Sequence, residues 1–267
     1  MPLTHQLEPK RPFTLQTLPT DGKQFHPDRD AAETEFKSLR TEFIEWQQRL
    51  YADGEQKLLI VLQAMDAGGK DGTIRNILKG VNPQGVRVES FKVPSKKELA
   101  HDFLWRIHQV VPAKGMISVF NRSHYEDVLV VRVHNIVPEA VWRPRYEQIN
   151  QFEKLLHETG TRILKFYLHI SQDEQKERFQ ARLNEPDKNW KFSLEDLEKR
   201  KFWPDYMAAY EEMLQQCSTT WAPWHVIPAN QKWYRNLAIL RTVVQTLREM
   251  NPQYPESEKN LDQVVIA

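Results

Sequence analysis

A single stretch constrains this chain more than any other: Gln63-Ala-Met-Asp-Ala-Gly-Gly-Lys-Asp-Gly-Thr73, which follows the apolar run Leu58 to Leu62 and precedes a helical pattern. Strand, glycine-rich turn with lysine, then helix is the order of a phosphate-binding loop. Glycines let successive backbone N–H groups turn inward, and with the helix N-terminus they form an anion nest. Lys70 adds a full positive charge. Asp66 is the unusual member, because a carboxylate inside a phosphate site repels its ligand unless it holds a cation or takes a proton. The loop departs from the Gly-Lys-Ser/Thr consensus, with Ala64 at the first glycine position and Asp71 in place of the hydroxyl residue. A glycine-rich turn without a ligand is therefore the alternative at this point.

Short β-rich runs alternate with helical patterns. Strands are expected at Leu58–Gln63, Val86–Phe91, Met116–Phe120, Ile163–Ile170 and His225–Pro228. Such alternation implies a parallel sheet covered on both faces, with ligands at the carboxyl ends of the strands. From Asp30 to about Tyr51, the residues Phe36, Leu39, Phe43, Trp46 and Leu50 form one helical stripe that packs on the core or on a second copy. Ser95 to Glu98 and Ser171 to Glu174 read as capping boxes. Prolines including Pro2, Pro12, Pro19 and Pro27 in residues 1–28 indicate an extended arm before a single domain over 29–252, with a tail over 253–267. Between Arg178 and about residue 200 a basic hairpin breaks the strand–helix rhythm. It contains Arg178, Arg182, Lys188, Trp190 and Lys191, with a second helix starting at Ser193. It reads as a lid, or as a solvated loop whose Trp190 packs on the core.

Charge is informative only when divided. Residues 70–132 carry 11 Lys and Arg against 6 Asp and Glu, or +5, whereas the rest carries 26 against 30, or −4. A basic segment that begins with the loop suits a polyanion cleft. Cys217 is the only cysteine, which excludes an intrachain disulfide and a thiolate-rich metal site. No apolar run reaches bilayer length and the N-terminus has no signal-peptide pattern, so a soluble, cytoplasmic chain with no membrane partner is expected.

Two further motifs agree with phosphate chemistry. The third strand runs into Asn121-Arg122-Ser123-His124-Tyr125-Glu126-Asp127, where such folds place groups beside the loop. Arg122 would bind phosphate oxygens in pairs or, alternatively, form an ion pair with Glu126 or Asp127. Glu126 is a second acid there, and His124 reads as structural. Trp224-His-Val-Ile-Pro-Ala-Asn230, leading to Lys232-Trp-Tyr-Arg235, suits a loop beside a nucleotide or an ordinary strand-to-helix turn.

Taken together, Met65 to Gly72, Phe120 to Tyr125, Arg178-Phe179 with Arg182, Pro186 to Phe192 and Ala222-Pro-Trp resemble the second family of polyphosphate kinases, from about Phe36 to about Arg248. The resemblance implies a three-layer α/β/α phosphate-loop kinase fold with a helical lid. It implies magnesium-dependent transfer, with manganese as a substitute, of a phosphoryl group between inorganic polyphosphate and adenine nucleotides, with guanine nucleotides as further acceptors. It makes Asp66, Lys70 and Arg122 the catalytic set. Ala67, Gly68, Gly69, Lys70, Asp71, Gly72, Thr73, Arg75, Lys79, Lys92 and Arg122 would hold polyphosphate. Asp66, Asn121, Tyr125, Glu126, Arg178, Arg182, Lys188, Trp190 and Lys191 would serve the nucleotide and the lid, and Asp66 would hold the metal. Many members have aspartate at Asn121 and alanine at Gly68; the Asn-Arg-Ser form is similar to the branch using both AMP and ADP. Family members suggest a homo-oligomer, and nucleic acid is not an expected partner. An ATP-dependent nucleoside or nucleotide kinase and a non-catalytic polyanion binder are the rival readings.

Overall fold

The computed structural model describes residues 5–258, so the first four residues of the expected arm and residues 259–267 of the expected tail lie outside them. Five strands form one parallel sheet in the order β2-β3-β1-β4-β5. They are β1 (Lys57–Gln63), β2 (Val86–Ser90), β3 (Ile117–Asn121), β4 (Thr161–His169) and β5 (Trp224–Pro228). Each lies within two residues of its expected bounds. The central strand β1 pairs with β3 through Leu58↔Ile117 and with β4 through Leu58↔Arg162. The chain fills the β2–β3 side of β1 before crossing to the β4–β5 side, so strand order reverses around β1.

Alternation of side chains across the sheet builds two cores. On one face, Leu58, Ile60, Leu62, Val119, Phe166 and Ile227 meet helix α1 (Arg29–Asp53) and the last long helix. On the other, Leu59, Val61, Phe120, Tyr167, Trp224 and Val226 meet the helices over Arg145–Glu158 and Trp203–Cys217. In chain order the longer helices after α1 are α2 (Lys70–Ile77), α3 (Arg145–Glu158), α4 (Gln172–Asn184), α5 (Leu194–Lys201), α6 (Trp203–Cys217) and α7 (Lys232–Met250). The architecture is three-layer α/β/α, as expected.

The stripe on α1 is used within the chain. Phe43 and Leu50 are fully buried, and Phe36, Leu39 and Trp46 pack against the same core. Two arginine forks on α7 add to this contact: Arg241 donates to Glu35 and Arg248 to Glu42, all at 2.6 Å.

Ser95 and Glu98 form the expected capping box. The second expected box is only half made. Ser171 Oγ accepts from the Glu174 N–H, but the Ser171 N–H donates to Asn230, and the Glu174 carboxylate accepts from Arg178 Nε at 2.6 Å. A charge-assisted bond to guanidinium outcompetes a neutral one to backbone.

The described part of the N-terminal arm is docked and includes short 3₁₀ turns at Leu15–Thr17 and Gly22–Gln24. Gln6 bridges His225 antiparallel at the free edge of β5, Leu15 is buried, the Thr20 carbonyl accepts from Asn230 N–H, and Gly22 N–H donates to Gln231. The arm thus covers an edge that would otherwise expose unpaired backbone.

Candidate active site at the carboxyl edge of the sheet

Strand β1 delivers the chain into the loop Ala64–Gly69. Ala67 and Gly69 adopt positive φ values of 60° and 103°. Gly69 precedes α2 without any side-chain cap, so the first N–H groups of that helix remain available to an anion. Lys70 is buried and folds back, its Nζ donating to the Ala64 carbonyl at 2.8 Å. Burial, reinforced by the charge of Arg122, pushes this ammonium down to about 8. A Cβ on Gly69 would collide with the Arg235 guanidinium and would also sit at an unfavourable φ. Gly69→Ala is accordingly expected to cost on the order of 1–3 kcal/mol, read from the denaturant midpoint; an unchanged midpoint would show that the loop relaxes freely.

The facing wall comes from the end of β3. Arg122 also has a positive φ, 63°, and directs Nη2 to Asp66 Oδ1 at 2.8 Å and Nη1 toward Glu126 at 3.5 Å. The Glu126 pairing was the sequence alternative; the pairing with Asp66 was not foreseen. Lys199 on α5 approaches the other Asp66 oxygen at 3.8 Å. Burial alone would push the Asp66 carboxyl up, but the charges of Arg122, Lys70, Lys199 and Arg182 outweigh it and hold the group below the usual carboxylate range. Asn121 donates to Asp71 at 2.7 Å, so its amide ties β3 to the start of α2 and does not reach toward Asp66.

Arg178 departs from its expected role of closing over a ligand. Its Nε is held by Glu174, Nη1 donates to the Ala67 carbonyl at 2.9 Å, and Nη2 donates to the carbonyls of Ala229 and Asn230 at 2.6 and 3.0 Å. It staples the loop to the end of β5. Its position on the anchored first half of α4, where three carbonyls converge, is the physical reason. Further along, Arg182 donates to the Lys191 carbonyl at 3.1 Å and to Asp196 at 3.3 Å. Trp190 is 77 % exposed; it neither lines the cleft nor packs on the core, and Lys191 Nζ lies 4.9 Å from its ring centroid.

These walls enclose a cleft of about 630 Å³. Its cations are Lys70, Lys92, Arg122, Arg178, Arg182, Lys188, Lys191, Lys232 and Arg235, against the carboxylates Asp66 and Asp71. Ala67, Gly68, Gly69, Gly72 and Asn121 complete the expected lining residues. Only three of the nine cations belong to the basic segment 70–132. The basic segment therefore supplies only part of the cleft's charge; most of it folds in from the hairpin and from α7. Lys232 and Arg235, which end the stretch read from sequence as a loop beside a nucleotide or an ordinary strand-to-helix turn but were not named as ligands, follow β5 at the same edge of the sheet.

Several expected residues lie elsewhere. Arg75 on α2 and Lys79 in the turn after it are exposed, and neither lines the cleft. Thr73 is fully buried, with its hydroxyl unpartnered. Glu126 lines a narrow crevice behind Arg122 with Lys199, Tyr206 and Tyr210. Tyr125 is not available to a nucleotide: it is fully buried, and its hydroxyl donates to Glu153 at 2.7 Å and accepts from Lys165 at 2.7 Å. Sequence proximity to Arg122 misled here, because the 3₁₀ turn His124–Asp127 directs the ring into the core. His124, expected to be structural, contacts Glu153 at 3.1 Å in the same buried group.

Residues 26–255 match the family model described as polyphosphate kinase 2. The chain belongs to the polyphosphate kinase 2 family. It is 51 % identical to the AMP/ADP-polyphosphate phosphotransferase of Meiothermus ruber, over 98 % of each chain. It is 45 % identical to the ADP-polyphosphate phosphotransferase of Rhodopseudomonas palustris, over 91 % of this chain and 88 % of that one. The crystal structure of polyphosphate kinase 2 from Arthrobacter aurescens TC1 superposes with a TM-score of 0.93 at 39 % identity, covering 97 % and 93 % of the two chains. As a member of the polyphosphate kinase 2 family, the protein is a phosphotransferase, and its fold is the family's.

Proposed function

We propose that the protein transfers the terminal phosphoryl group of inorganic polyphosphate to AMP and ADP, forming ADP and ATP reversibly. The observation that carries this reading is the cleft with nine cations against two carboxylates opening on the phosphate loop. A single nucleotide tail does not need so much positive charge, whereas an unbranched polyanion does. The names of the similar Meiothermus ruber and Rhodopseudomonas palustris proteins support the same donor and acceptors.

In this reading the nest from Gly68 to Gly72 and the first N–H groups of α2 hold the end of the donor chain, with Lys70 and Lys92 beside it. The terminal P–O–P bond breaks as an oxygen of the acceptor phosphate bonds to the departing phosphorus. One anhydride replaces another, so substrate levels set the direction. Arg122 neutralises the transferring group. Asp66 orients the acceptor phosphate. Arg182, Lys188 and Lys191 belong to a lid, formed by the second half of α4, the 3₁₀ turn Pro186–Lys191 and α5, that excludes water. Guanine nucleotides are admitted as further acceptors, and the assembly is a homo-oligomer.

The donor set also fits magnesium. Asp66 and Asp71 are hard oxygen ligands at the loop, and among the described residues no group of three or more His, Cys, Asp or Glu converges to form a cage. Magnesium is commonly held by one or two carboxylates, with phosphate oxygens and water completing the shell. Asp66 would hold it, and the ion would supply positive charge to the phosphoryl group being transferred.

The test is an assay of purified protein with magnesium, polyphosphate and either AMP or ADP. Phosphorylated product is expected from both acceptors, with KM for polyphosphate rising steeply with added salt, as for other polyanions that release counter-ions on binding. Absence of product in both directions, beside robust transfer from ATP to nucleosides, overturns the reading in favour of an ATP-dependent kinase.

A further inference from the structure

Four lysine or arginine residues are buried among the described residues: Lys70, Arg106, Lys165 and Arg235. Lys165 and Arg106 lie within ion-pair distance of a carboxylate; Lys70 does not, and is answered by a carbonyl and the nearby charge of Asp66. Lys165 is bonded to Glu153 at 2.6 Å. Arg106 lies 3.9 Å from Asp127 and donates to the Lys92 carbonyl. Lys70 donates to the Ala64 carbonyl beside Asp66. Arg235 is different. It is 2 % exposed, and its hydrogen bonds run only to the neutral amide of Asn236, from Nε at 3.2 Å and Nη2 at 2.9 Å. Nη1 makes none, and among the described residues no carboxylate lies within ion-pair distance.

The neighbourhood increases the deficit. Arg178 stands beside it, and the nearby carboxylate, Glu174, is already committed to Arg178. Burial and then the Arg178 charge push the Arg235 guanidinium down to about 9. An unpaired buried cation costs several kcal/mol. Its fork nevertheless lines the cleft, with Nη1 against Gly69 and Nη2 3.6 Å from the place a Gly72 Cβ would take. A planar guanidinium aimed at a phosphate nest, with one nitrogen free, matches a phosphate oxygen pair.

We infer that Arg235 is a direct ligand of the donor polyphosphate, gripping a phosphate seated in the loop from the α7 side, and that the bound polyanion is its missing counter-charge. The inference rests on the polyphosphate reading above and adds to it a binding residue from the last helix. It also makes the ligand-free protein less stable than it would be without the charge, so that donor binding and folding stability are linked through one side chain.

Arg235→Met and Arg235→Lys separate this from a scaffolding role. Three quantities are measured: the thermal midpoint without ligand, the rise in midpoint on adding polyphosphate, and the KM values for polyphosphate and ADP. Arg235→Met is expected to match or exceed the wild-type midpoint without ligand and to lose more than half of the polyphosphate-induced rise. Its KM for polyphosphate should increase at least about tenfold, the equivalent of one lost charged hydrogen-bond pair, with KM for ADP within about twofold. Arg235→Lys keeps the charge without the fork; it is expected to fold as wild type and still raise KM for polyphosphate several-fold. A lower ligand-free midpoint with an unchanged polyphosphate response in Arg235→Met overturns the inference. So does a wild-type KM for polyphosphate in Arg235→Lys, which decides the matter if the methionine variant does not fold. Wild-type protein that neither binds nor turns over polyphosphate would sink the proposed function itself, a separate outcome.

Discussion

Asp66→Asn is expected to lower turnover about 10²–10³-fold, the scale of losing one preorganised electrostatic group, while polyphosphate binding is kept or tightened. The two halves of this expectation have one cause. Asp66 is a negative charge among Arg122, Lys70 and Lys199, held ionised by them. Removing it makes the cleft more positive, which a polyanion tolerates or favours. What disappears is the group proposed to orient the acceptor phosphate and its metal, and an amide is a poor substitute for either task. Single-turnover rates and equilibrium binding of polyphosphate distinguish the two effects. A variant with a near-normal rate would remove Asp66 from the chemistry, and one that has lost polyphosphate binding would show that Asp66 serves mainly to position Arg122.

The second large effect concerns stability. Glu153, Lys165, His124 and Tyr125 form a polar group closed off from solvent beneath β4 and α3. Burial would push Glu153 up, but Lys165 and His124 outweigh it and keep the carboxylate charged. Lys165 Nζ also donates to the Cys217 carbonyl at 2.7 Å and faces the rings of Tyr125 and Trp224. Glu153→Ala leaves Lys165 as an uncompensated buried cation and is expected to cost about 3–5 kcal/mol. The double change Glu153→Leu with Lys165→Met should recover most of it, because the pair's desolvation penalty vanishes with the pair. Denaturant unfolding measures both. A loss below about 1 kcal/mol in the single variant would mean that water reaches the site.

The sheet and the loop were legible because their signals are local. Apolar runs of strand length stand at Leu58–Leu62 and Ile163–Ile170, and the glycines, Lys70 and Asp66 lie within eleven consecutive residues. Family motifs extended that reading to Arg122 and the hairpin. What remained hidden depends on which distant segments meet. Nothing near Gly69 announces Arg235, which lies 166 positions away, and nothing near Arg178 shows that the carbonyls of Ala67, Ala229 and Asn230 will consume it. Tyr125 was misplaced because adjacency to Arg122 in sequence says little about direction across a 3₁₀ turn. Lys165 did carry a signal: a lysine inside the apolar run Ile163-Leu-Lys-Phe-Tyr-Leu168 can be buried only beside an acid.

The docked N-terminal arm has a consequence for the order in which the molecule is completed. Its seat is built from β5, the turn at Asn230 and Gln231, and Tyr234, whose hydroxyl meets His5 at 2.7 Å. Those residues leave the ribosome more than 200 positions after the arm does. During synthesis the first segment must wait without its partner while the central strands pair, and closure of the β5 edge comes at the end. Contacts of such long sequence separation are slow to form. The exposed flank of β5 is thus open to wrong partners from the moment it emerges until the arm docks, and the arm is the clasp that ends that interval.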